Sequence, residues 1–239
     1  MLARHYPPLV LLPGLVTDAR LWQHQISSLG AITQVSVGDL THGRSIAEMA
    51  ADVLAKAPAS QFALAGLSMG GYVALEIMRK APERILALAL LDTSARPDSL
   101  IALDMRSELI LQAEADYRTV IRALVFTQLH PIHRQDTELV GFLTDMALSI
   151  GNETFICQQR AIAGRMDSIP YLSSINCPTL VLCGRSDAIT PLGLHQEMVT
   201  AIKGAGLIIV NDCGHLSAIE QPERVNKALC QWLIGLNFC

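Results

Sequence analysis

Six short apolar runs punctuate the chain: Leu9–Leu12, Gln34–Val37, Phe62–Ala65, Ile85–Leu91, Thr179–Cys183 and Leu207–Val210. Most are apolar at nearly every position instead of alternating. A strand of that kind must be covered on both faces, which predicts a parallel sheet flanked by helices. Longer stretches with helical spacing lie between the runs, and regular alternation of the two patterns is the mark of βαβ units. Local signals agree. Ser45-Ile46-Ala47-Glu48 reads as a capping box opening a helix that continues to about Ala57, before Pro58. Pro191 and Pro222 stand where first-turn prolines belong, ahead of apolar-periodic stretches.

The alternation stops between Ala95 and Asp167. That stretch carries helical patterns only, broken at His130-Pro131 and Gly151-Asn152, and the sheet pattern resumes at Cys177-Pro178-Thr179. An all-helical insert after the fourth strand accounts for this. The expected division is a core over 1–96, a helical cap over 97–166 and a second core segment over 167–239.

Composition narrows the class. With 239 residues, 51% of them hydrophobic and 17% charged, the chain can bury a sizeable core. The net charge of −4 and the absence of a basic run argue against a nucleic-acid partner or an anionic membrane surface. Ile85–Leu91, the longest of the apolar runs, is too short to span a bilayer, and Pro13-Gly14 ends the first run short of a signal-peptide core. A cytoplasmic location is the expectation. In that setting the scattered Cys157, Cys177, Cys183, Cys213, Cys230 and Cys239 read as free thiols.

Candidate chemistry begins at Gly66-Leu67-Ser68-Met69-Gly70-Gly71, placed between a predicted strand and a predicted helix. A sharp strand-to-helix turn presents a serine hydroxyl at the carboxyl end of the sheet, and glycines on either side let the backbones approach. A serine hydroxyl is a weak nucleophile and needs a base that is itself oriented by a third group. His215, in the loop after the last strand, is the candidate base. Asp187, in Gly184-Arg185-Ser186-Asp187 after the fifth strand, is the candidate acid, and Asp92 after the fourth strand is its competitor. The order Ser, Asp, His along the chain favours Asp187.

Acyl transfer also needs donors for an oxyanion, for which the backbone amides of Leu15 and Met69 are placed. Val16, Leu67 and Leu216 are expected to line the substrate floor, and Leu124, Val125, Phe126, Phe142, Leu143 and Met146 the inner face of the helical insert. Gln158, Arg160 and Arg165 in the insert read more readily as solvent-facing than as ligands of a substrate carboxylate. His130 and His133 lack the companions of a metal site, and His5, His24, His42 and His195 read as surface or helix-flank residues.

Taken in order, Leu11-Leu12-Pro13-Gly14, Asp39-Leu40-Thr41-His42-Gly43-Arg44-Ser45, the Ser68 motif, Gly184-Arg185-Ser186-Asp187 and Gly214-His215 resemble the α/β-hydrolase superfamily, in particular its small capped esterases and enol-lactonases. The resemblance covers nearly the whole chain. It implies a mainly parallel sheet of about six strands with helices on both faces, and a helical cap inserted after the fourth strand. It also implies hydrolysis of small carboxylic esters through an acyl-enzyme, with no cofactor or metal. The chain departs from the family pattern in three places. Pro13 stands where a histidine is usual, the glycine usual after Asp39-Leu40-Thr41 is absent, and the opening antiparallel hairpin has no counterpart. A carbon–carbon bond hydrolase or lactonase would use the same triad, although Leu216 follows the histidine where the former usually carry tryptophan. A ligand-binding protein on the same fold is the alternative from another class.

Overall fold

The computed structural model describes residues 6–236, so His5 and Cys239 lie outside it. All six predicted strands form: β1 (Leu9–Leu12), β2 (Val35–Val37), β3 (Phe62–Leu67), β4 (Ile85–Leu91), β5 (Thr179–Gly184) and β6 (Gly206–Val210). They make one parallel sheet in the order β2-β1-β3-β4-β5-β6. Every residue of β1, β3 and β5 is buried, as unbroken apolar strands require. β3 and β5 run past the apolar pattern because Gly66 pairs with Leu90 and Gly184 with Val210. These glycines carry no hydrophobic signal but keep their ladder positions.

Nine α-helices surround the sheet among the described residues: α1 (Gln23–Leu29), α2 (Ile46–Lys56), α3 (Met69–Lys80), α4 (Leu100–Gln128), α5 (Thr137–Ile150), α6 (Asn152–Ala163), α7 (Leu192–Ala201), α8 (Ser217–Glu220) and α9 (Pro222–Ile234). The start of α2 follows the predicted box with a shift. Ser45 Oγ accepts from the Glu48 amide at 3.1 Å, while the Glu48 carboxylate accepts from the Arg44 amide at 2.9 Å, one residue earlier than a regular box. Pro222 occupies the first turn of α9, and Pro191 sits at the N-cap of α7.

Helices α4 to α6 form the stretch between β4 and β5. Within α4 the backbone breaks at Asp116 (φ −151°, ψ 82°), whose carboxylate accepts from the Thr119 amide at 3.1 Å and so caps the second half. Where this helical segment leaves and rejoins the sheet, Asp98 accepts from Arg106 and, at 2.8 Å, from Arg165. The Arg165 guanidinium also lies 4.2 Å from the centre of the Tyr72 ring. Its side chain is only 7% exposed, and Gln158 is fully buried, so the solvent-facing expectation fails for both. Each found fixed hydrogen-bond partners, which pattern reading of a helix face cannot supply. Arg160 does face solvent. Of the expected inner-face residues, Val125, Leu143 and Met146 are buried, whereas Phe126 is 46% exposed.

The five described cysteines are free thiols. No described helix is long and apolar enough to cross a membrane.

Candidate active site

β3 ends at Leu67, α3 begins at Met69, and Ser68 makes the turn between them at φ 55° and ψ −116°. A non-glycine residue at positive φ stores about 1–3 kcal/mol of strain and persists only where its surroundings enforce it. Here the Ser68 amide donates to the Leu91 carbonyl at 3.0 Å, and its own carbonyl accepts from Thr93 Oγ1 at 2.8 Å. The flanking glycines are steric necessities. A Cβ on Gly66 would strike the Gly70 carbonyl, and one on Gly70 would strike the carbonyls of Leu12 and Pro13. The turn is therefore wedged against the end of β1, and the Ser68 side chain caps no helix amide.

That hydroxyl meets the predicted base. Ser68 Oγ lies 2.8 Å from His215 Nε2, and His215 Nδ1 lies 2.8 Å from Asp187 Oδ2. Asp187 is held in turn by the amides of Ile189 (2.8 Å) and Thr190 (2.9 Å) and by the Thr190 hydroxyl (2.7 Å). One carboxylate oxygen thus organises the turn before Pro191 while the other faces the imidazole. Burial by itself would raise the Asp187 carboxyl, but the facing His215, its hydrogen bond and the Thr190 bonds outweigh this and keep it below the ordinary carboxylate value. Burial opposes the charged form of His215 too. The Asp187 charge and hydrogen bond, helped by Asp92 and Glu220, nevertheless hold its pKa above the usual histidine value.

Asp92, the competing carboxylate, is at the end of the neighbouring strand and fully buried, at φ 45°. It accepts from the Gly184 amide at 2.9 Å and the Ser217 amide at 3.1 Å, and it forms no hydrogen bond to His215. Burial, then the nearby Asp187 charge, pushes its pKa up to about 8. Its geometry is that of a brace between the loop carrying Asp187 and the loop carrying His215.

Two residues escaped the sequence reading. His195, read as a helix-flank residue, is fully buried, with Nε2 accepting from the Thr93 amide at 3.0 Å. Burial lowers its pKa to about 4, so it is a neutral acceptor behind the Ser68 turn. Gln158 reaches across from α6: its Oε1 accepts from the Val16 amide at 2.9 Å and its Nε2 donates to the Leu40 carbonyl at 3.1 Å. Val16 is itself at positive φ (47°), so the turn after β1 is pinned from the helical segment in a conformation a β-branched residue resists. No local signal marks either residue, because both depend on contacts between distant parts of the chain.

Leu15 and Met69 flank the serine from the β1 turn and the α3 start. Among the described residues neither amide donates to a protein acceptor outside the regular elements. Val16, Leu67 and Leu216 are buried. Ser68 is 9% exposed and His215 only 1%, so the site is closed over. A cavity of about 480 Å³ opens beside it, lined by Pro13, Thr17, Asp39, Leu40, Ile150 and Thr154 among others, without touching Ser68, Asp187 or His215. No cluster of three or more histidine, cysteine or acidic residues among the described residues is arranged to hold a metal ion.

A family model described as "Alpha/beta hydrolase family" matches residues 9–228. The chain belongs to the alpha/beta hydrolase family. Related hydrolases resemble it over most of its length. A protein named putative carbamate hydrolase RutD from Serratia proteamaculans is 24% identical, over 95% of this chain and 91% of its own. A thermophilic esterase from Thermogutta terrifontis, with malate bound, superposes at a TM-score of 0.89 and 29% identity, covering 98% of this chain and 92% of its own. The enol-lactonase from Burkholderia xenovorans LB400 shares the fold at a TM-score of 0.86 and 23% identity, over 98% and 94% of the two chains. In a hydrolase of this family a buried serine, histidine and aspartate at the carboxyl ends of the strands occupy the place where ligands bind in α/β sheets.

Proposed function

We propose that this hydrolase cleaves small carboxylic esters through an acyl-enzyme, with Ser68 as nucleophile, His215 as general base and then acid, and Asp187 as the group that orients His215. The observation that carries this reading is the unbroken hydrogen-bond chain from Ser68 Oγ through His215 to Asp187, each link 2.8 Å. As Ser68 Oγ attacks the ester carbonyl carbon, its proton passes to His215 Nε2. The amides of Leu15 and Met69 donate to the oxyanion. When the tetrahedral species collapses, the carbon–oxygen bond to the alcohol breaks and His215 returns the proton to the leaving oxygen. Water, deprotonated by the same histidine, attacks the acyl carbonyl and frees Ser68.

The helical segment over 97–166 acts as the cap, closing the site with α4 to α6 and holding the Val16 turn through Gln158. The esterase named among the relatives supports ester substrates, and a lactone is a cyclic ester open to the same attack. The carbon–carbon alternative draws less support, because Leu216 follows His215. A pure binding role leaves the strained serine and its base without a purpose.

Labelling with a fluorophosphonate probe tests the reading. The wild type is expected to take up one equivalent at Ser68, and Ser68→Ala to take up none while turnover of an activated ester falls by about three orders of magnitude or more. A Ser68→Ala protein within tenfold of wild-type activity would overturn the assignment.

A further inference from the structure

The His215 loop is fastened by a carboxylate outside the triad. Glu220 closes α8, five positions after the histidine, and its side chain is fully buried. Oε1 accepts from the amides of Gly214 (3.0 Å) and Leu216 (3.1 Å), the two residues on either side of His215. Oε2 accepts from the His130 amide at 2.7 Å and lies 2.8 Å from His133 Nδ1. Both of those belong to the segment joining α4 to α5. The amide of His215 itself donates to the Gln128 carbonyl at the end of α4, at 2.7 Å. Gly214 permits this approach, since a Cβ there would come within 2.5 Å of the Gln128 oxygen and the His130 nitrogen.

Three successive amides centred on the histidine are thus held by one buried carboxylate and by the end of α4. The same carboxylate holds the segment that follows α4. An anion buried this completely is tolerable only because every acceptor position is used, and each use fixes a piece of backbone. We infer that Glu220 is a positioning residue for the reaction: it sets the His215 imidazole against Ser68 and makes that setting depend on the docking of residues 128–133 through His133. The inference rests on His215 being the base. Misplacing a reacting group by about 1 Å costs on the order of 100-fold in rate, which is the scale of effect such a fastening controls.

The test compares Glu220→Gln, Glu220→Asp and His133→Gln with wild type on an activated ester, each checked for folding by circular dichroism. Glu220→Gln is expected to lower kcat by about 10- to 100-fold with KM within about threefold. The acid limb of its kcat/KM profile is expected at lower pH, because a negative charge facing His215 is gone while Asp187 in contact, Asp92 at the end of β4 and neutral His195 on α7 remain. A purely structural role would not move that limb. Glu220→Asp, which keeps the charge, is expected to restore the limb and part of kcat. His133→Gln keeps the amide bonds to the carboxylate and weakens only the imidazole link, so a fall of about threefold or more in kcat at unchanged KM is expected.

A folded Glu220→Gln with wild-type kcat and an unmoved acid limb overturns the inference. If that variant does not fold, His133→Gln decides, and unchanged kcat overturns the proposal. Retained activity in Ser68→Ala would instead sink the underlying triad, which keeps the two failures apart.

Discussion

Two buried carboxylates stand beside His215, and their partners differ in kind. Asp187 bonds the imidazole, while Asp92 bonds only backbone amides. Asp187→Asn presents an amide to a nitrogen that needs an acceptor, and a fall of about 10⁴-fold in kcat is expected. Asp92→Asn leaves the acceptor of the imidazole in place, so its loss should be far smaller in the same assay. Activity should also depend on pH in a definite direction. The base works only when neutral, and the charges of Asp187, Asp92 and Glu220 lift His215 above its ordinary value of 6.5 despite burial. The expected kcat/KM profile therefore rises with pH through one ionisation above 6.5, measured under subsaturating ester. Ser68, Asp187 and His215 were readable from sequence as candidates because each follows a strand in a glycine-marked loop. Glu220 and His195 were not, since a buried glutamate or histidine on a helix looks like any other until its partners are known.

Helix α6 shows how an element can serve a site it does not belong to. Gln158 satisfies the Val16 amide and the Leu40 carbonyl at once, from the middle of a helix. Gln158→Leu would leave both groups buried without a partner, each costing about 1–3 kcal/mol. The expected result is a lower thermal midpoint together with reduced kcat, because the amide of Leu15 precedes the released turn. A melt and a turnover assay on one preparation check both. The capping signal at Ser45 and the prolines at the starts of α7 and α9 were legible because they act within a few residues. The kink at Asp116 has the same local chemistry, an aspartate capping Thr119, yet it lies inside a stretch whose spacing reads as continuous helix.

At the scale of the molecule, strand count, strand type and the place of the helical segment follow from where apolar runs alternate with helices and where they do not. The order of strands in the sheet does not follow, because runs of equal hydrophobicity have no label for their neighbours. Closure of the site also has a consequence for substrate choice. With Ser68 9% exposed and His215 1% exposed, a long acyl chain has little room near the serine. Across p-nitrophenyl esters from acetate to palmitate, kcat/KM is expected to peak at short chains without activation by an oil–water interface. A maximum at dodecanoate or beyond would show that the helical segment opens widely.

The arrangement β2-β1-β3-β4-β5-β6 places β4 beside β5, although the whole of α4, α5 and α6 separates them along the chain. Bringing those two edges together closes the longest loop in the sheet, and such non-local pairings carry an entropic cost before they gain any contact. Ser68 lies on one side of that closure, Asp187 and His215 on the other. A chain that has assembled β1 to β4 holds the proposed nucleophile without its proposed base. Recovery of turnover after dilution from denaturant therefore counts the molecules in which the second edge has docked, while the ellipticity of the local helices returns ahead of it.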